Sequence, residues 1–329
     1  IQTEDVAQAI VRVNERHAEK PLLAVLMGRQ GLPAGVAELQ GAHIPAFTFP
    51  ESAARTLGAM WSYGESARRP VGQPVAFDAD DDAVHAIIER TVQAGRTRLS
   101  EPDALRVLEA YGVTIPPWEF VEEDGSGTLA ERTARAAGSI GFPVALKLVS
   151  PEVVHKTDVG GVVLGLESAA EVEAAAARLE DADRQSASAD RQSQIAPHRS
   201  PIAGLLVQRM APRGTETIVG ATRVPRVGSM IMFGMGGVYV EVMRDVVLRL
   251  GPLLDADARK MIRGVRLYRL LEGVRGEAPR DVAALEEVIL RVSQLTERHP
   301  EIAELDVNPL IALEEGAGAI AVDVRVGVG

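Results

Sequence analysis

The 329-residue chain contains no cysteine. Disulfides, thiolate metal sites and cysteine nucleophiles are therefore excluded, and the composition fits a reducing compartment, with the cytoplasm as the expected location. Aromatic residues make up only 4%, so the core has to be built from Val, Leu, Ile and Ala. No apolar run approaches the roughly 20 residues of a membrane-spanning helix, and the first residues lack the basic, apolar, cleavable profile of a secretory signal. Positive charge is not in excess: the net charge is −11, with both signs mixed along the chain. A sequence-independent grip on a phosphate backbone needs a basic face, so neither nucleic acid nor membrane is expected as a partner. An initiating methionine is also missing. The chain enters "TEDVAQAIVRV" almost at once, which reads as a piece of a longer or processed polypeptide.

What is present is an ordinary globular balance, 46% apolar and 25% charged, long enough for two domains. The first 70 residues alternate helix and strand. Thr3 is a candidate N-cap, with Glu4 and Asp5 where the helix dipole favours negative charge, and Val6, Ile10 and Val13 form an apolar stripe. "PLLAVLMG" (Pro21 to Gly28) reads as a buried strand. A helix around Ala34 to Gln40, the strand "AFTF" and a helix from Glu51 through Trp61 follow. This order is half of a doubly wound parallel sheet. Such a sheet needs more strands, expected upstream or on another chain. The Pro, Gly and charge content of "ARRPVGQPVAFDADDDA" marks residues 71–98 as a linker.

From residue 99 a second domain of α+β character begins, in lobes of about 99–210 and 211–329 joined through "LVQRMAPRG". Ser100 caps its first helix, with Glu101 and Pro102 in the first turn. The strands "WEFV", "VALKLV", "GVVLGL" and "GLLVQRM" frame helices about 128–140 and from Ala169 to about Leu179. The polar stretch near 182–200, in which ADRQS occurs twice, is expected as an exposed, poorly ordered loop. A helix from Asp281 to His299 and the strands "ELDVNPLIAL" and "GAIAVDVRV" close the chain.

Lys147 interrupts "VALKLV". In an extended strand it shares a face with Ala145 and Val149, opposite Val144, Leu146 and Leu148. It either snorkels from an edge strand to water or is a cation aimed into a cleft at a phosphate, since a buried ammonium needs a partner. The following "HKTDVGG" favours phosphate. Gly160 and Gly161 let backbone amides approach an anion, Lys156 adds a second cation, and His155 can act both as nucleophile and as proton carrier. A second glycine cluster, Gly234, Gly236 and Gly237, is either a structural turn or another phosphate-facing loop. Glu241 behind it faces away from the core or into the cleft, and Arg244 and Arg249 can meet anions. In the C-terminal pair, a turn at Glu315–Gly316 makes facing residue numbers sum to 631. Asn308 then lies opposite Asp323, with Asp306 on the same face. These oxygens suit Mg²⁺, which takes few protein ligands and completes its octahedron with water and phosphate; the alternative is the polar outer face of a hairpin.

With these residues assembled, the chain resembles the ATP-grasp β part of NDP-forming acyl-CoA synthetases, relatives of succinyl-CoA ligase. The matching stretches are "GFPVALKLVSPEVVHKTDVGGVVLGL", "MIMFGMGGVYVEVMRDVVLRLGPL", "LLEGVRGE" and "ELDVNPLI…GAIAVDVRV", covering about residues 99–329; residues 1–70 look like the tail of a flavodoxin-like CoA-ligase domain. The resemblance implies a partial flavodoxin-like sheet followed by a two-lobed ATP-grasp domain. It makes Lys147 the phosphate-binding lysine and His155 the histidine that relays a phosphoryl group. Asn308 and Asp323 become metal ligands, and Glu241 a metal or phosphate neighbour. Gln208 and Met210 fall in the hinge that holds adenine, and Glu216 in the family's G-x-E segment. The implied cofactors are ATP or ADP, Mg²⁺, and CoA bound by upstream or partner domains that also carry a phosphohistidine. The implied reaction is acyl-CoA + ADP + phosphate ⇌ acid + CoA + ATP. The same architecture occurs as a nucleotide- or acyl-CoA-sensing domain fused to a GNAT-type acetyltransferase, the alternative reading. "RVPRVGS" departs from the family pattern, as does the length of the polar stretch.

Overall fold

The structure is a computed structural model. It describes the backbone of all residues except 1, 18, 28–33, 69–71, 125–126, 151–160, 191–201, 238–244 and 275; of residues 66 and 183–190 the side chains are not described either. Contacts divide the chain into two units, Ile1–Val71 and Gly72–Gly329.

In the first unit, helix α1 (Thr3–Arg16) precedes β1 (Ala24–Val25), α2 (Val36–Gly41), β2 (Ala46–Phe47) and α3 (Pro50–Arg68). The two strands pair in parallel, Ala24 with Ala46 and Val25 with Phe47, as the helix–strand alternation requires. Gln2 rather than Thr3 holds the N-cap position, because Thr3 is already helical, and no side-chain cap bond forms. The core is small: Ala7, Ala24, Leu26, Val36, Leu39 and Ile44. Met27, Phe49, Trp61 and Tyr63 are exposed. A two-stranded sheet alone is marginal in water, so this unit has apolar surface in excess of its core.

The second unit holds two sheets. Strands β3 (Trp118–Glu122), β4 (Val144–Val149), β5 (Val162–Leu166) and β6 (Gly204–Arg209) form an antiparallel sheet in the order β3-β6-β4-β5. Helices α6 (Leu129–Ile140) and α7 (Ala169–Asp190) cover one face, where Leu146, Val207, Leu129, Ala137, Val172 and Ala176 interlock. The other sheet runs β11-β10-β7-β8-β9, with β12 also on β10; its strands are β7 (Thr215–Val224), β8 (Gly228–Met235), β9 (Val246–Leu250), β10 (Ile302–Ala312), β11 (Ala319–Ala321) and β12 (Val324–Val328). Helices α8 (Asp255–Gly264) and α9 (Val282–Arg298) pack on it.

Three further expectations need correction. Residues 71–98 are not a plain linker: α4 (Asp81–Gln93) forms there, capped by Asp80, which accepts from Ala83 N. Its Val84, Ile87, Ile88 and Thr91 are buried at helical spacing, so the polar start of this stretch hid an amphipathic helix behind it. Helix α5 (Glu101–Ala110), capped by Ser100 as expected, sends Leu105, Leu108 and neighbouring Tyr111 into the core of the six-stranded sheet, although it precedes the other sheet in sequence. Finally, α7 runs on through the first ADRQS copy to Asp190, where a loop was expected; the second copy lies mostly outside the described residues. Among the described residues no helix is long and apolar enough to cross a membrane.

If α4 is part of the core, Ile88→Ala should cost about 2–5 kcal/mol in urea unfolding, the usual range for a buried Ile cut back to Ala. A loss within a few tenths of a kcal/mol would return α4 to the status of a linker.

Candidate functional site

Lys147 sits on β4, between β6 and β5, so the edge-strand route to water is closed to it. It is 7% exposed. The alternation works as the extended strand dictates: Val144, Leu146 and Leu148 enter the core beneath α6 and α7, and Val149 and Leu206 turn to the other core. The Lys147 ammonium donates to Glu101 Oε1 at 2.7 Å and to the Val322 carbonyl at 3.2 Å. With side chains 8% and 7% exposed, Lys147 and Glu101 form a buried ion pair. Removing one partner from such a pair typically costs about 3–5 kcal/mol.

Three local features bring these groups together. Residues 97–99 lie along β12, with Leu99 N donating to Val326 O and Val328 N to Thr97 O. They deliver Ser100 and then Glu101, the first residue of α5, where the helix dipole favours a carboxylate. The C-terminal pair adopts the expected register, Leu310 opposite Ala321 and Val307 opposite Val324. Between them Asn308 N donates to Asp323 O and Val322 N to Pro309 O, both at 3.0 Å. Proline has no N–H to return across the ladder, and the Val322 carbonyl takes its hydrogen bond from Lys147 instead. The "NP" of the sequence thus opens a docking point for a lysine from the other sheet. Against β7, β10 also carries one extra residue between Val307 and Leu310, a bulge of the kind that re-aims side chains.

The hairpin is pinned from behind. Asp281 caps α9 through Ala284 N and accepts from Gly316 N and Gly318 N, each at 3.0 Å. Asn308 is exposed and Asp323 half-buried, and Asp323 Oδ1 accepts from Val324 N. Asp306 faces Arg325 across the strands. Burial pushes its carboxyl above the ordinary aspartate value; Arg325 opposes this, and the charges of Asp323 and Glu304 add to it.

Gln208 lies at the middle of its sheet, between Trp118 and Ala145. It is 1% exposed, and its amide nitrogen has no hydrogen-bond partner among the described residues. A buried amide without a partner costs about 1–3 kcal/mol, so the Gln208 Nε2 of β6 calls for an acceptor beyond the described residues. Met210 continues the hinge, its N–H bonded to Pro143 O. Gly161 O accepts from Leu148 N, fixing the end of the "HKTDVGG" segment to β4. Glu216 and the glycine cluster belong together: Gly236 N donates to Glu216 O at 2.8 Å. A side chain at Gly236 would meet the Glu216 backbone at 2.9 Å, and Gly237 has φ +63°. Both glycines therefore have a steric reason independent of any ligand. Arg249 stands apart, on the edge strand β9, paired with Asp257 at 3.3 Å. Three strand spacings put β9 about 14 Å from β10. His155, Lys156, Gly160 and Glu241 lie outside the described residues.

Among the described residues the structure therefore brings Lys147 of one sheet against the Asn308/Asp323 hairpin of the other, with Glu101 as the residue that sequence reasoning missed. Local spacing marks Glu101 only as a first-turn acid and announces no partner 46 positions away. The oxygen donors fit Mg²⁺. No group of three or more His, Asp or Glu stands ready to enclose a metal among the described residues, but Mg²⁺ normally takes only one or two carboxylates and completes its shell with water and phosphate.

The raised Asp306 pKa has a sign for stability. The native state holds this proton more tightly than the unfolded one, so stability falls as pH rises from the ordinary aspartate value through the raised one. Asp306→Asn should therefore raise Tm at pH 7 and lose that gain once the pH is below the ordinary aspartate value. A lower Tm at pH 7 would contradict this.

The ATP-grasp domain family matches residues 90–328. The chain is 36% identical over 329 residues to a 4-hydroxybutyrate–CoA ligase (ADP-forming) of Nitrosopumilus maritimus, covering 98% of this chain and 44% of that protein. It is 37% identical to the beta subunit of acetate–CoA ligase (ADP-forming) I of Pyrococcus furiosus, covering 73% of this chain and 95% of that subunit. Among solved structures it is similar to acetyl-coenzyme A synthetase 1 of Ca. Korarchaeum cryptofilum in complex with coenzyme A and Mg-AMPPCP, whose phosphohistidine segment points towards the nucleotide-binding site. The TM-score is 0.62 at 35% identity, covering 75% of this chain and all of that one. The chain thus spans less than half the length of the first relative and nearly all of the second. It belongs to the ATP-grasp family, in the branch of the ADP-forming acyl-CoA ligases.

Proposed function

We propose that the chain is the nucleotide-binding, phosphoryl-transferring part of an ADP-forming acyl-CoA synthetase, acting in acyl-CoA + ADP + phosphate ⇌ acid + CoA + ATP. The observation that carries this reading is the meeting of the Lys147 ammonium with the Asn308/Asp323 hairpin through Val322 O. It supports a cation and the hairpin's side-chain oxygens acting on the same polyphosphate.

In this reading the adenine lies against β6 and the hinge, where the Gln208 amide supplies a buried donor and Met210 lines the edge. Lys147 neutralises phosphate oxygens and holds the chain of phosphates in line. Asn308 and Asp323 hold Mg²⁺, which when bound screens the repulsion between the phosphates and the incoming group. Transfer to ADP breaks the P–N bond of a phosphohistidine and forms a P–O bond to the terminal phosphate oxygen. By the family resemblance His155 is that relay, flanked by Lys156 and Gly160; Glu241 joins the metal or the phosphates. Arg249 lies too far along the sheet to share the hairpin's site unless the ligand reaches β9.

CoA and the acyl group are assigned to a partner domain or chain. The Pyrococcus furiosus relative is itself a beta subunit, and the solved relative binds coenzyme A. The exposed Met27, Phe49, Trp61 and Tyr63 of the first unit suit covering by the rest of a flavodoxin-like sheet. The relatives named above are ligases, and nothing among the described residues favours the acetyltransferase-linked sensor.

Calorimetry should show ADP binding that requires Mg²⁺. Lys147→Met should weaken it about tenfold or more, the loss of one charge-assisted contact. Absence of binding with Mg²⁺ present would overturn the reading.

A further inference from the structure

A lysine reserved for phosphate cannot stand uncompensated in a buried place. In this chain its compensation is built in: Glu101 Oε1 lies 2.7 Å from Lys147 Nζ, and both side chains are more than nine-tenths buried. The backbone position of the carboxylate is set by local structure. It is carried on the first residue of α5, fixed by the Ser100 cap and by the pairing of residues 97–99 with β12. The other acceptor, Val322 O, is neutral main chain beside Asp323. The ammonium is thus held between the Glu101 carboxylate and the hairpin that carries Asn308 and Asp323.

Two anions cannot share one buried ammonium without repelling each other in a medium of low dielectric. We infer that Glu101 is an affinity-limiting residue of the nucleotide site: its carboxylate stands in for phosphate on Lys147 when the site is empty and opposes phosphate when the site fills. This rests on the nucleotide reading proposed above and adds to it a residue with a direction of effect. The carboxylate keeps the empty chain stable, and it keeps bound nucleotide from being held too tightly to leave. Tight binding of ground states does not by itself speed turnover, so a counter-anion at the phosphate lysine has a use in a reversible phosphoryl transfer.

The test is Glu101→Gln, which keeps the shape and an acceptor oxygen but removes the charge. The nucleotide-free variant should unfold at lower temperature than the unsubstituted chain. Its Kd for ADP with Mg²⁺, measured by calorimetry, should fall about tenfold. Opposite signs are the signature, since a merely structural loss would weaken stability and binding together. Glu101→Asp, which keeps the charge, should stay closer to the unsubstituted Kd than Glu101→Gln does. Should Glu101→Gln not fold, the pair can be neutralised as Glu101→Gln/Lys147→Met. This double variant should bind MgADP more tightly than Lys147→Met alone, which leaves the carboxylate to repel the phosphates with no cation between them. An unchanged or higher Kd in Glu101→Gln, or a double variant that binds no more tightly than Lys147→Met, overturns the inference. If the unsubstituted chain binds no MgADP, the nucleotide reading falls first and takes this one with it; if it does bind, a failure of Glu101→Gln counts against Glu101 alone.

Discussion

One ammonium joins the two sheets of the second unit. Lys147 grows from the interior of a four-stranded sheet and is satisfied by a carboxylate at the head of α5 and by a carbonyl in the C-terminal hairpin of the six-stranded sheet. Each bond depends on a different piece of chain. Remove the pairing of residues 97–99 with β12 and Glu101 loses its place. Give residue 309 an N–H and the Val322 carbonyl has a ladder partner of its own. The strength of the arrangement comes from burial, which makes each of these polar groups costly to leave unmet.

That constraint orders the rest of the site. The hairpin has to be rigid to receive a lysine from elsewhere, and Asp281 makes it so by tying its turn to the start of α9. The strand that carries Lys147 has to be interior, and its neighbour β6 then brings Gln208 and Met210 to the same region. The first unit obeys a different logic. Its parallel strand pair and small core leave large apolar residues at its surface.

Much of this was legible from residue order. The two-fold period of "VALKLV" put Lys147 opposite the core face, and the 631 register put Asn308 opposite Asp323, because a hairpin with a Glu/Gly turn leaves few other pairings. Helix α4 was not legible, since the Pro- and Gly-rich run before it dominated the local composition while its apolar spacing is short. The destination of α5 was hidden for another reason: amphipathicity names a buried face but not the sheet that buries it. Glu101 illustrates the same limit for polar groups. Its position at a helix start is fully explained by the dipole, and only the three-dimensional pairing with Lys147 gives it a second role. The glycines at 236 and 237 show the converse, residues that suggested a phosphate loop and have a packing reason.

The claim that Lys147 meets the nucleotide's phosphates is open to a direct chemical measurement, because the chain has only the lysines Lys20, Lys147, Lys156 and Lys260. An acyl-phosphate derivative of ADP transfers its acyl group to an amine beside the phosphate, and the modified residue can be read by peptide mass spectrometry. Acylation of Lys147 that is suppressed by excess MgADP is the expected result. Acylation confined to Lys20 or Lys260, or unaffected by MgADP, would contradict the account.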